Sequence, residues 1–483
     1  MRLNELLYKV NILKVVGSTN IDIVDISFDS RKVQENGLFV AIEGTISDGH
    51  KYVENAISNG AIAIIVEETP IGIKSNISYI QVENSSHALS IVAGNFYGNP
   101  SERIQLIGVT GTNGKTTIVT LLYQLFTLLN KKSAMFSTIE NRILDKKIPS
   151  THTTPDPLQI NSLLHEMIEK GCEYCFMEVS SHALSQGRVY ALNFSGGVFT
   201  NLTHDHLDYH NTFAAYRDVK KSFFDALNKD CFALVNKDDK NAEKMVEGTA
   251  ARKIFYSLNS LADYRCKVPE KRFEGMLLQI SKIDFWVKLI GDFNASNLLA
   301  VYAVAKQFNF KDNEILTALS TLNSAEGRFQ VVRSQDFITG IVDYAHTADA
   351  LENVLNTINN IRPGTSLITV VGCGGDRDKS KRSAMTKIAC NLSTQVIITS
   401  DNPRLETPED IIQDMLTGLE ANQKRKVFAI TDRKQAIVAA GRLAKKNDVI
   451  LVAGKGHEKF QEIKGEKIPF DDMMELKKSL NII

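Results

Sequence analysis

The strongest chemical signal in the chain is a polar, glycine-containing turn between an apolar strand and a helix. Gly111-Thr-Asn-Gly-Lys-Thr-Thr117 follows Ile104-Gln-Leu-Ile-Gly-Val-Thr110 and leads into a helical run from Lys115. Backbone N–H groups at a helix N-terminus can cradle phosphate oxygens, a lysine adds charge, and a threonine hydroxyl can bind magnesium. Gly111, Thr112, Asn113, Gly114, Lys115, Thr116 and Thr117 are therefore the expected nucleotide-phosphate contacts. The general GxxxxGK[ST] pattern asks for glycine at position 109, which is Val109 here, so the loop is a variant of that motif.

Phosphoryl transfer depends on positioning and charge neutralisation, so a divalent cation should accompany the nucleotide. Two polar clusters fall at expected strand ends: Glu178-Val-Ser-Ser-His182 and Asn201-Leu-Thr-His-Asp-His206-Leu-Asp-Tyr-His210. Magnesium (Mg2+) prefers a few oxygen ligands plus waters, whereas a histidine ligand would also admit manganese. Asn236-Lys-Asp-Asp239 matches the NKxD that selects guanine, but no DxxG lies at a suitable spacing. It reads better as a strand cap and turn. Cys172 and Cys175 form a CxxC with no second CxxC or histidine pair, and so read as core cysteines.

These groups need a scaffold. At 483 residues the chain is long enough for two or three domains. Residues 1–100 mix short strands, such as Gly37-Leu-Phe-Val-Ala-Ile42 and Ala61-Ile-Ala-Ile-Ile-Val66, with a helical stretch from Tyr52 to Ser58. Residues 101–328 alternate strand and helix, with helices expected at 115–130, 155–170 and 214–228 and strands at 174–179, 197–200 and 231–236. Residues 329–483 restart the alternation, with strands at Leu367, Val396, Val427 and Val449. A helix there should start at Thr407-Pro408, with threonine as N-cap and proline at N1. The expected class is α/β: a central, P-loop-type, mostly parallel sheet flanked by a smaller α/β domain and a Rossmann-like domain. Polar segments at 372–377, 401–404 and 454–458 follow strands of the third block, where such sheets gather ligands.

Composition narrows the partners. Lysine plus arginine and aspartate plus glutamate both number 56, which gives no basic excess for nucleic acid. No apolar run reaches the ~18 residues of a membrane span, and the amino terminus lacks a signal-peptide core. Six scattered cysteines suggest reduced thiols and a cytoplasmic protein rather than a disulfide framework; separately, the chain is expected to work as a monomer.

Taken in order, GTNGKTT (111–117), EVSSH (178–182), NLTHDHLD (201–208), Tyr216-x-x-x-Lys220, GDFNASN (291–297), EGRFQ (326–330) and DYAHT (343–347) resemble the Mur ligases, the ATP-dependent amide-forming enzymes of the peptidoglycan stem peptide. The resemblance spans nearly the whole chain. It implies that Lys115 contacts the ATP phosphates and that Thr116, Glu178, His206 and Lys220 serve the magnesium sites. Lys220 matches the lysine that members carry as a carbamate (N6-carboxylysine), an anion able to help hold metal. Val219 replaces the usual alanine before it. Asn297, Arg328, Asp343 and His346 match nucleotide-positioning residues.

In the first block, Asp29-Ser-Arg31 and Gly44-x-x-x-Asp-Gly-His50 resemble a uridine-nucleotide-binding domain, which implies that Ser30, Thr45, Ile46 and Ser47 approach UDP. Thr153, Thr154, Ser180, Gln186 and Arg188 match positions holding the muramyl dipeptide. Asp401-Asn-Pro-Arg404 is the DNPR of members that add meso-2,6-diaminopimelate. A guanidinium there can grip the second carboxylate that lysine lacks. Arg377, Asp401, Asn402, Pro403, Arg404, Gly454 and Glu458 are the implied amino-acid contacts. The implied reaction adds meso-diaminopimelate to UDP-N-acetylmuramoyl-L-alanyl-D-glutamate through an acyl phosphate. The alternatives are a lysine-adding ligase, a folylpolyglutamate-synthetase-like ligase, which would lack the first block and DNPR, and a nucleotide switch without ligase activity.

Overall fold

The computed structural model describes residues 1–44, 47–70, 72–205, 207–362 and 364–482. Three sheets organise the chain. The first has the order Ile12–Val16, Ser78–Val82, Ala61–Val66, Gly37–Val40, Asp25–Ser27, with only the first pair antiparallel. Leu38, Val40, Ala63, Ile65 and Ile80 of these strands pack with Leu3, Leu6 and the helix Ser85–Phe96.

The middle sheet has eleven strands. Its parallel centre runs Arg252–Ser257, Phe232–Asn236, Gly196–Phe199, Gln105–Thr110, Tyr174–Glu178, Ser133–Phe136. These strands read as nearly continuous apolar runs because helices cover both faces, burying Ile107 and Val109 on one side and Leu106 and Met177 on the other. Antiparallel hairpins extend both edges: Glu140–Ile143 with Lys146–Pro149, and Tyr264–Arg272, Gly275–Ile280 and Ile283–Val287. The latter strands were not anticipated from the pattern. Tyr264–Arg272 and Ile283–Val287 carry exposed charged positions that dilute the apolar signal.

The third sheet runs Gln330–Arg333, Thr339–Asp343, Val449–Ala453, Leu367–Val371, Gln395–Ile398, Val427–Ala429, antiparallel only at its first pair. The helix Pro408–Leu416 does carry proline in its first turn, but Thr407 makes no side-chain cap. The N–H of Asp410 donates to the Thr407 carbonyl instead, at 3.1 Å. Among the described residues no helix is long and apolar enough to cross a membrane.

Register decides what meets what. In the middle sheet Glu178 pairs with Val109 and Phe199 with Thr110, so the loops after three adjacent strands leave the sheet side by side. In the third sheet Ala453 pairs with both Asp343 and Val371, and Val371 with Ile398. The segments beginning at 344, 372, 399 and 454 therefore share one carboxyl edge, where open parallel sheets place their ligands.

Candidate active site

The loop 111–117 is built tightly. Gly111 has φ +146° and a side chain there would collide with the Thr200 hydroxyl, while Gly114 (φ +89°) leads into the helix Lys115–Leu128. Its backbone is tied to the neighbouring strand end: the Thr112 N–H donates to Asn201 O at 2.8 Å and the Asn113 N–H to Asn201 Oδ1 at 2.9 Å. Asn297, on the helix Asp292–Gln307, directs its side-chain oxygen at Gly114.

Two amines converge on one carbonyl. Lys115 Nζ donates to Gly111 O at 2.9 Å and Lys220 Nζ donates to the same oxygen at 2.8 Å. Lys220 lies on the helix Phe213–Asp225, is 1% exposed, and its Nζ sits 4.9 Å over the Tyr216 ring. The Tyr216 hydroxyl reaches Thr112 Oγ1 at 3.1 Å. Burial holds the Lys220 ammonium well below the usual lysine range, and the Lys115 charge lowers it further, with Asp205 opposing. Lys115 is also lowered by burial, opposed by Glu178 and Asp205. Two like charges sharing one acceptor in a dry site disfavour double protonation, the same direction in which burial moves Lys220.

Beside them Thr116 Oγ1 donates to Glu178 Oε2 at 3.0 Å, and Thr138 donates to the two Glu178 oxygens through its N–H (2.7 Å) and hydroxyl (3.1 Å). Glu178 is 1% exposed and has no ion-pair partner among the described residues. His206 falls outside the described residues. Thr117 is buried below the loop.

The third sheet reaches this centre. Arg328 Nη2 donates to Thr116 Oγ1 at 3.1 Å while its guanidinium lies 4.5 Å over the Tyr344 ring. Asp343 accepts from the N–H of Phe329 and of Ala345, both at 2.7 Å; burial raises its carboxyl, with Arg328 pulling the other way. It thus shapes the Arg328 turn through the backbone; no direct Arg328–Asp343 ion pair is formed among the described residues. His346 Nδ1 lies 2.9 Å from Tyr344 O, and burial lowers its basicity. Asn113 Nδ2 meets Asp349 Oδ2 at 3.2 Å across the same junction.

A third cluster adjoins Glu178. Thr154 Oγ1 donates to Glu178 O at 2.7 Å and reaches Ser180 Oγ at 3.3 Å. Arg188 donates to Thr154 O at 2.8 Å and through Nε and Nη2 to Gln186 Oε1 at 3.0 and 2.6 Å. Thr153 Oγ1 lies 3.1 Å from Thr138 Oγ1. These dipeptide candidates come together because they flank one strand end.

The amino-acid candidates gather on the third sheet. Asn402 Nδ2 donates to Glu458 Oε2 at 2.8 Å, and Gly454 (φ +115°) packs where a Cβ would lie 2.6 Å from Asp401 Oδ2. Arg404, at φ +53°, donates to Gly375 O at 2.6 Å and lies 3.4 Å from Glu462. The Pro403 carbonyl packs against Gly375, and Arg377 is exposed with its stem near Gly374. In the first sheet Ser30 is buried at the start of a short helical turn capped by Asp29, and the Ser47 hydroxyl donates to Tyr52 OH at 3.2 Å. Thr45 and Ile46 lie outside the described residues.

Several contributors were not singled out from sequence. Asp205 sits within a quoted motif, but its electrostatic reach to Lys115 and Lys220 needs the fold. Thr138 and Asp349 carry no local signal at all. Cys172 and Cys175 are buried free thiols, as expected. Asp238 and Asp239 accept from Leu258 N and Leu202 N at 2.8 and 2.7 Å, a cap and turn in place of a guanine site.

Phosphate loop, buried lysine and three α/β sheets coincide with one protein class. Profiles of the Mur ligase family match residues 22–97 (described as its catalytic domain), 109–305 (middle domain) and 327–456 (glutamate ligase domain). The chain belongs to the Mur ligase family. It is 50% identical, over all of both chains, to the UDP-N-acetylmuramoyl-L-alanyl-D-glutamate--2,6-diaminopimelate ligase of Cytophaga hutchinsonii. A solved structure of a ligase with that same name superposes with TM-score 0.70 at 33% identity, covering 100% of this chain and 99% of the other. The fold also matches a MurF ligase from Thermotoga maritima in complex with ADP, with TM-score 0.61, 19% identity, and 95% and 98% of the two chains covered.

Proposed function

We propose that this chain joins meso-2,6-diaminopimelate to UDP-N-acetylmuramoyl-L-alanyl-D-glutamate, coupled to cleavage of ATP into ADP and phosphate. The relatives of this name match it over their full length. Residues 1–100 are assigned to the uridine nucleotide, 101–328 to ATP and the dipeptide, and 329–483 to the amino acid. The carrying observation is the convergence of Lys115 and Lys220 on Gly111 O, beside the Thr116–Glu178 contact and the Thr154–Ser180–Arg188 cluster.

The reaction follows from that layout. A carboxylate oxygen of the D-glutamyl end attacks the γ-phosphorus of ATP, the bond to the β-phosphate oxygen breaks, and ADP leaves. The amine of diaminopimelate then adds to the acyl-phosphate carbonyl carbon. The tetrahedral intermediate expels phosphate and loses the amine proton, leaving an amide. Lys115 and the N–H groups of the loop hold phosphate oxygens; Arg188 holds an anionic group of the dipeptide. Arg328, reaching Thr116 from the third sheet, orders the nucleotide only when that sheet is docked, and docking excludes water that would hydrolyse the acyl phosphate.

The donor set suits magnesium: a threonine hydroxyl, a buried carboxylate in no direct ion pair among the described residues, and a lysine able to become a carbamate. Thr116, Glu178, His206 and carbamylated Lys220 would hold it, and it would supply charge neutralisation on the phosphates. The lowered basicity of the buried Lys220 amine suits carbamylation, in which nitrogen bonds to the carbon of CO2 and releases a proton. The working unit assigned is the monomer. The compartment assigned is the cytoplasm, consistent with six free, buried cysteines.

The test is phosphate release by purified protein with ATP, magnesium and UDP-MurNAc-dipeptide. Diaminopimelate should stimulate it well beyond lysine. Equal or reversed preference refutes the amino-acid assignment, and stimulation by a folate would favour the folylpolyglutamate alternative.

A further inference from the structure

The Gly454-Lys-Gly-His-Glu458 segment contributes one more charged group, Lys455, whose side chain is completely buried. Its Nζ donates to Asn402 Oδ1 at 2.8 Å and to Glu458 Oε2 at 2.9 Å, and lies 3.6 Å from Asp401 Oδ1. Asn402 Nδ2 donates to the same Glu458 oxygen at 2.8 Å, closing a ring of contacts. Three side chains assigned to the amino acid are therefore fixed to one another through a cation that does not reach solvent.

The charges in this cluster do not balance. One ammonium faces two carboxylates, which leaves one negative charge in surplus. Of the neighbouring cations, Arg433 also attracts Asp401 and Glu458, but its charge is matched by a carboxylate of its own. Arg433 is paired with Asp472, both fully buried, and its remaining N–H groups hold Ala453 O at 3.0 Å and Ser400 O at 3.4 Å, the residues just before Gly454 and Asp401. Arg404 turns to Gly375 O and Glu462. The surplus suits one substrate ammonium, and Arg404 beside it suits one substrate carboxylate. Together they fit an amino-acid end that carries both, rather than an amine alone.

We propose that Lys455 is a specificity-determining positioning residue, its buried charge setting the Asp401–Glu458 pair to a single negative surplus so that the site accepts a carboxylate next to the ammonium. The inference rests on the reading of Asp401, Asn402, Arg404 and Glu458 as amino-acid contacts. Without the Lys455 charge, two uncompensated carboxylates repel the distal carboxylate of diaminopimelate and attract the lone distal ammonium of lysine. Asn402 also loses one of the two donors on its oxygen and keeps the Glu462 N–H at 2.9 Å.

The experiment compares kcat/KM for diaminopimelate and L-lysine in the phosphate-release assay, using the full chain and its Lys455→Met, Glu458→Gln and doubly substituted variants. In Lys455→Met the diaminopimelate-to-lysine ratio should fall about tenfold or more, with the KM for ATP within about twofold of the parent. The double variant restores one negative surplus and should recover part of the ratio. Glu458→Gln alone removes the surplus and should move the ratio the opposite way, which keeps the test open if Lys455→Met does not fold. Equal losses for both amino acids, in either single variant, overturn the inference and leave Lys455 a structural pair. A parent protein with no diaminopimelate-dependent turnover fails the proposed reaction itself, a different outcome from a parent that works and variants whose ratio stays fixed.

Discussion

Replacing Lys220 by alanine removes an amine that the fold has driven toward neutrality and aimed at the phosphate loop. The structural consequences are modest. Three buried methylenes contribute about 0.8 kcal/mol each, roughly 2.4 kcal/mol, and the bond to Gly111 O about 1 kcal/mol. Against this, removal lifts the burial cost of the amine and its repulsion with Lys115, the two effects that depress its basicity. The net loss of stability should stay at about 1–3 kcal/mol, a shift of a few degrees in a thermal melt. Activity should respond far more. Losing a preorganised group that stabilises charge at a dry reaction centre costs about 2.7–4 kcal/mol, or about 100- to 1,000-fold in kcat. Phosphate release with all substrates at saturation gives the number, and a thermal melt of the same sample separates it from unfolding. Formate or acetate should restore part of the rate by placing a small carboxylate in the space the side chain leaves. A variant that retains parental kcat, or one that loses activity only in proportion to its folded fraction, would sink the proposed role of Lys220.

Two further expectations follow from other parts of the site. Gly454→Ala places a Cβ 2.6 Å from Asp401 Oδ2 at a backbone φ of +115°; the KM for diaminopimelate should rise severalfold while that for ATP holds, with a stability loss of about 1–3 kcal/mol in a melt. Glu406, whose carboxylate accepts from Arg382 at 2.7 and 3.0 Å, is held down from 4.5 to about 2 chiefly by that hydrogen bonding. Because its folded-state value is depressed, its stabilisation is present above about 4.5 and is lost as pH falls towards about 2. Denaturation midpoints of Glu406→Gln should therefore depend less steeply on pH in that window than those of the parent; parallel curves would refute the assignment.

Much of this was legible in the order of residues. A phosphate loop is a local object, because a turn and a helix N-terminus supply its N–H groups, so 111–117 could be placed from a short stretch of chain. The parallel strands were legible too, since burial on both faces turns them into unbroken apolar runs. Outlying strands such as Tyr264–Arg272 were not, because exposed positions mix charge into the pattern. The cap expected at Thr407 was misread for a similar reason: a preference of residue type says what can bond, and the local backbone chose its own carbonyl as acceptor.

Sequence alone determined which chemical groups were present and the class of reaction they could serve, from Lys115 and Thr116 to the Asp401–Arg404 segment. Tertiary structure decided which groups act on one another. Lys220 lies 109 residues from the carbonyl it shares with Lys115, and Arg328 lies 212 residues from the threonine it touches. It also turned Lys455 from one lysine among many into a buried cation between two carboxylates. Charge at a site depends on burial and on neighbours brought in by strand register, and neither quantity is written in the spacing of residues along the chain.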